Sequence, residues 1–170
     1  MRSIRAGLLV LFSIIFLSSC DYYLVKDYKH QVGYIKASNK DDSKDFKLCF
    51  PEKLFPYYYG RYPASYSAGK KALRDYFYTR YHNEGFNHQS GYITIRFIIN
   101  CEGKAGSYEV RQVGVDFKKK KFSKCIVEKL VELTQSLQYW KPLEFYGDRY
   151  DSFYHISFKI VNGEIQDILP

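Results

Sequence analysis

Gly91 to Asn100, "GYITIRFIIN", decides the fold of this 170-residue chain. Ile93, Ile95, Phe97 and Ile99 alternate with Tyr92, Thr94, Arg96 and Ile98, the period-two pattern of a strand with one fully apolar face. The next residues, "NCEGKAG", hold Gly103 and Gly106, which take positive φ without a Cβ clash. "SYEVRQVGV" then runs back from about Ser107 to Val113. Together these predict a β-hairpin whose loop is longer than the two-residue type.

Outward on the C-terminal side, Phe122, Ile126, Leu130, Leu133 and Leu137 recur at helical steps, with Val127 and Val131 beside them. This is the apolar stripe of an amphipathic helix. Pro142 ends it, because a residue before proline avoids the helical region. "SFYHISFKIV" follows as a last strand, with Tyr154, Ile156, Phe158 and Ile160 alternating with Phe153, His155, Ser157 and Lys159. Asn162-Gly163 reads as a turn, after which "EIQDILP" can return as a short extra strand. On the N-terminal side, "SAGKKALRDYFYTRYH" predicts a helix with Ser67 as its N-cap and with Leu73, Tyr76 and Phe77 on the core side. Residues 47–66 carry Pro51, Pro56 and Pro63 among seven aromatics, and read as an irregular wrap over the core or as an aromatic peptide-binding patch.

The start of the chain has another character. Arg2 and Arg5 precede Ala6–Leu17, a 12-residue apolar run that is short of the ~20 residues a spanning helix needs. It fits the h-region of a secretory signal. The run ends in Leu-Ser-Ser-Cys, which resembles the lipobox of bacterial lipoproteins. That resemblance implies cleavage after Ser19 and lipidation of Cys20. An ordinary signal peptide or an uncleaved anchor is the alternative reading. Residues 20–46 are polar, with a short strand expected near Val32–Ile35, and read as a tether whose extended reach is at most ~90 Å. Removal of residues 1–19 takes away two arginines and no acids, lowering the net charge from +8 to +6.

Residues 47–170 read as one α+β domain in the order helix, strand, strand, helix, strand. Within it, "YSAGKKALRDYF", "GYITIRFIINCEG", "FSKCIVEKLVELTQSLQYWKP" and "SFYHISFKI" resemble the TonB C-terminal domain family over about residues 64–161. Gly69, Gly91, Asn100, Gly103, Trp140, Lys141, Pro142 and Phe158 carry the resemblance. It implies two helices on one face of a small antiparallel sheet (α-β-β-α-β), the architecture the periodicity also suggests. It further implies that the last strand is an open edge that takes up an extended partner segment by β-strand addition. The expected pairing edge is Ser152, Phe153, Tyr154, His155, Ile156, Ser157, Phe158, Lys159 and Ile160. The implied protein partner is an outer-membrane TonB-dependent transporter. A TonB proper has an uncleaved membrane helix and a long Pro-rich spacer. This chain has neither, so energy transduction is not expected of it.

On this topology the hairpin tip holds Cys101, and the wrap carrying Cys49 leads toward the same end. Cys125 lies about one strand length away, roughly 33 Å, beyond disulfide reach. A Cys49–Cys101 bridge with a buried, free Cys125 is therefore expected of an exported domain.

Other chemistries find little support. His30, His82, His88 and His155 are scattered, and no Cys or His pair has zinc spacing. There is no nucleophile elbow, phosphate loop or paired carboxylate. Asp41-Asp42 and Asp148/Asp151 read as polar loops. No catalytic residue, metal, cofactor, small-molecule substrate or nucleic acid is expected. Lys118–Lys121, extended by Lys124, reads as a solvated loop or as a patch for anionic lipid headgroups. The expected role is a lipid-anchored, periplasm-facing interaction module without transduction, in either envelope membrane. The competing role is a structural envelope lipoprotein using the fold as a spacer or assembly part. The two differ at the last strand: an interaction module keeps its edge open, and a structural part covers it.

Overall fold

The computed structural model describes residues 46–169 together with Ile35. Cys20, the signal region and the tether lie outside the described residues, except for Ile35 and Phe46. Ile35 is only 3% exposed and belongs to no strand, so the tether is packed at that residue.

The fold is mixed α+β. The elements in chain order are β1 (Phe55–Pro56), β2 (Ser65–Tyr66), α1 (Gly69–Arg80), β3 (Gly91–Ile99), β4 (Ala105–Val113), α2 (Lys124–Gln135), β5 (Trp140–Lys141), β6 (Leu143–Phe145), β7 (Asp148–Tyr150), β8 (Ser152–Val161) and β9 (Glu164–Leu169). β3 lies between β4 and β8, antiparallel to both. The other side of β8 carries two strands, β1 in parallel at its start and β9 in antiparallel at its end. The main sheet is therefore five-stranded and mixed, where the sequence led us to expect a small antiparallel one. Two further pairs, β2–β5 and β6–β7, stand apart from it.

The alternation anticipated in β3 and β8 is realised. Ile93, Ile95 and Phe97 lie directly opposite Phe158, Ile156 and Tyr154. These side chains join Leu73 and Phe77 of α1 and Ile126, Leu130 and Leu133 of α2 in a single core. Each such fully buried aliphatic or aromatic side chain contributes about 1.5–3 kcal/mol of transfer free energy. Tyr76 is half-buried, and its hydroxyl donates to Leu133 O of α2 at 3.2 Å.

Local chemistry explains the ends of the elements. Ser67 does not cap α1: Ala68 holds the N-cap position with no side-chain bond, and Ser67 N–H donates to Tyr139 O instead, helping to seat β2 beside β5. At the start of α2, Gln112 Oε1 accepts from Phe122 N–H and Gln89 Oε1 from Ser123 N–H, so side chains from outside the helix bond the backbone at its entrance. Gly91 has φ +147°, and a Cβ there would overlap Val113 O across the strand pair. Gly103 has φ +79°, and a Cβ there would overlap Trp140 O. Those two glycines bring the ends of the β3–β4 hairpin close to other backbone.

Candidate interaction surfaces

The sequence marks Ser152–Ile160 as the binding edge. In the fold this strand is interior, which corrects that expectation. Ser157, Phe158, Lys159 and Ile160 pair with β9 on one side and with β3 on the other. Ser152 and Phe153 pair with β1. Phe55 N–H donates to Asp151 O and Tyr57 N–H to Phe153 O, both at 3.1 Å. Only Tyr154, His155 and Ile156 fall between the two covering strands. The physical reason lies in the turn: Asn162 (φ +50°) and Gly163 (φ +81°) are both left-handed, and such turns fold a chain straight back on itself. Ile168 then buries completely. The outer side of β9 is engaged as well. Arg74 pairs with Asp167 at 2.8 Å, and Tyr78 Oη donates to Gln166 O at 3.4 Å.

Of the β8 side chains that alternate with the core set, His155 and Ser157 join a polar row on the sheet face away from the helices. His155 lies opposite Arg96, which lies opposite Glu109. Arg96 Nη1 meets Glu109 Oε2 at 2.9 Å, and Arg111 Nε meets Glu109 Oε1 at 3.2 Å. The Thr94 and Ser157 hydroxyls share a hydrogen bond of 2.8 Å. Burial, then the Arg96 charge, pushes the His155 pKa below its ordinary value of 6.5. Burial likewise lowers Arg96, against the opposing pull of Glu109.

At the other end of β3 the chain is riveted. A disulfide joins Cys49 to Cys101. Beside it Asp151 sits in the loop between β7 and β8, as read from the sequence, but is fully buried. Its Oδ2 accepts Phe50 N–H at 2.7 Å and its Oδ1 accepts Cys101 N–H at 2.9 Å. The two sulfurs and the carboxylate lie within 4.8 Å of one another. The sulfurs are consumed in their own bond and both carboxylate oxygens accept backbone N–H groups, so the trio is a clamp. Sequence reasoning missed Asp151 because its donors are 101 and 50 residues away. Cys125 is free but exposed, not buried. It stands at a groove with Tyr81, His82 and Phe86. On α2 it sits one position before Ile126, the first buried residue of the helix.

The wrap also presents rings. A connected run passes from Phe50 to Tyr150, Phe55, Tyr59, Phe145 and Tyr146, with centroid spacings of 4.4–5.4 Å. Tyr57 joins this region to the core through Tyr154. The aromatic surface is thus shared between the wrap, with Phe50, Phe55 and Tyr59, and the β6–β7 hairpin, with Phe145, Tyr146 and Tyr150. Trp140 packs against Tyr66, Phe97 and Tyr154, while its Nε1 and Ser152 Oγ have no hydrogen-bond partner among the described residues.

No family model, curated protein or solved structure matches this chain.

Proposed function

We propose that the chain is a non-catalytic, lipid-anchored protein of the bacterial envelope, with a TonB C-terminal-like domain that serves as an assembly or spacer part. One observation carries this reading: the chain's own β1 and β9 occupy the outer edge of β8. A module working by strand addition needs that edge vacant, whereas a structural part covers it. Uptake of a transporter segment at β8 would first require β9 to detach, with exposure of Ile168. The anchor follows from the lipobox-like Leu17–Cys20, and a diacylated, N-acylated cysteine holds a protein on a membrane durably.

Two readouts in the native host test the proposal. Wild-type chain should incorporate an alkyne-tagged fatty acid, and Cys20→Ser chain should not. A strain lacking the chain should keep its TonB-driven uptake. An unlabelled wild type would remove the anchor, and complete loss of uptake would restore a transducing role.

A further inference from the structure

We propose that the loop from Gly114 to Lys121 docks this domain on an anionic phospholipid surface. Val115 and Phe117 enter between headgroups whose phosphates face Lys118, Lys119 and Lys121. The inference rests on the envelope reading above, which supplies the membrane.

The loop is built, not slack. Gly114 N–H donates to Lys118 O at 2.8 Å, and Phe117 N–H to Gly114 O at 3.0 Å. Lys118 N–H reaches Asp116 Oδ1 at 3.2 Å, and Val113 bridges to Lys119. Lys120 N–H bonds Gln112 O, and Lys120 Nζ bonds Ser90 O. This framework presents two large apolar side chains to solvent, Val115 at 67% and Phe117 at 72% exposure.

Phe117 holds φ +59°, a left-handed conformation that disfavours bulky residues and that Gly or Asn adopts readily. Its ring stacks on Tyr92, with centroids 5.4 Å apart, yet most of it stays in water. Strain at an exposed aromatic is not repaid by core burial, and such an outlier points to use.

Around this tip Lys118, Lys119, Lys121 and Lys124 are exposed. Two acids, Asp116 and Glu128, offset them only partly. A soluble anion would use the lysines and leave Val115 and Phe117 without a role. A bilayer surface uses both, since basic residues near anionic headgroups are attracted while apolar side chains leave water. The loop lies beyond the end of β4 at Val113, at the opposite end of β3 from the Cys49–Cys101 rivet where the tether joins. Docking there would fix the orientation of an already anchored domain.

The test uses the full chain with Phe117→Trp or, separately, Val115→Trp, mixed with phosphatidylcholine vesicles containing brominated acyl chains, with or without phosphatidylglycerol. Trp140, the one native Trp, is buried and serves as background. Quenching of the new indole should be severalfold stronger with phosphatidylglycerol. It should fade near 1 M salt, where charges are screened within ~3 Å, and disappear when Lys118, Lys119 and Lys121 are all changed to Gln. Tyr146→Trp, in the aromatic surface, should remain unquenched. Absence of quenching at both loop positions, equal quenching without the anionic lipid, or quenching at position 146 instead would overturn the proposal. Flotation separates this from the anchor. Acylated chain floats with either vesicle; chain that fails to float with phosphatidylcholine counts against lipidation, while the loop signal with anionic vesicles still reads.

Discussion

Asp151 Oδ1 accepts the backbone N–H of Cys101 at 2.9 Å while the sulfur of Cys101 is bonded to Cys49. The same carboxylate accepts Phe50 N–H, so one buried acid and one disulfide tie the same two segments together. The first described residues of the domain are thereby fixed to the β3–β4 hairpin.

Asp151→Ala should destabilise by about 2–4 kcal/mol: a hydrogen bond to a charged group is worth about 1.5–3 kcal/mol, and the two backbone donors that lose their acceptor are only part-buried, so water replaces some of what is lost. Reduction of the disulfide, which spans 52 residues of sequence, should cost about 4 kcal/mol by loop-closure entropy. Because the two share one job, their costs should not add. Urea denaturation of oxidised and reduced forms of both proteins checks this. Strict additivity would mean that the clamp is two separate devices.

Asn100 closes the hairpin at the same end. Its Oδ1 accepts from Glu102 and Lys104 N–H groups at 3.0 and 2.9 Å, and its Nδ2 donates to Lys47 O at 2.8 Å. It is 1% exposed. Asn100→Ala should cost about 2–4 kcal/mol by stranding those groups. Asn100→Asp keeps the acceptor but sets a carboxylate against Lys47 O, so it should rescue only part of the loss. Thermal melts of the three proteins give the ranking, and equal melting of Ala and wild type would contradict it.

His155 gives the fold an acid-side sensitivity. Its folded pKa lies below the ordinary 6.5 through burial and the Arg96 charge. The unfolded chain therefore takes up the proton first as pH falls. Stability from this group is intact above the unfolded value and declines as pH drops through about 6.5 toward the lowered folded value. His155→Gln should flatten stability against pH over that window. An unchanged slope between wild type and variant, measured by urea melts from pH 7.5 to 5, would assign the effect elsewhere.

Besides its ladder to β8 and the Arg74–Asp167 pair, β9 is seated by Ile168, fully buried among the core side chains. Ile168→Asp would place a lone carboxylate there at a cost of several kcal/mol, so β9 should detach while the rest of the sheet persists. The exposed β8 edge should then pair between copies. Concentration-dependent association in sedimentation would register this. A variant as monomeric as wild type, with β8 amides still protected, would contradict it.

The strands β3 and β8 and the helix α2 were legible because each carries enough residues for its period to show. The pairs β1, β2 and β5 have two residues each and carry no period at all. They exist because distant backbone groups meet, as when Phe55 N–H finds Asp151 O. The β6–β7 hairpin went unread because its turn holds Tyr146 at φ +52° before Gly147, a place where Asn or Asp would have signalled a turn. At the candidate edge the sequence held both halves of the answer. Asn162-Gly163 marked the reversal and "EIQDILP" the returning strand. What periodicity leaves undetermined is which side of β8 that strand takes, since β3 and β9 compete only in three dimensions. The Cys49–Cys101 pairing was readable once both thiols were set at one end of the hairpin. The burial of Asp151 was not, because nothing local distinguishes it from a loop acid.

The central claim is that the last long strand is closed by its own chain. Amide hydrogen exchange of the full chain, followed across Ser152–Val161 with and without millimolar peptides from transporter N-terminal segments, tests it most directly. The account predicts slow exchange through Ser157–Val161 that the peptides do not alter. Rapid exchange there, slowing when peptide is added, would mean that the edge opens for a partner and that strand addition is its function after all.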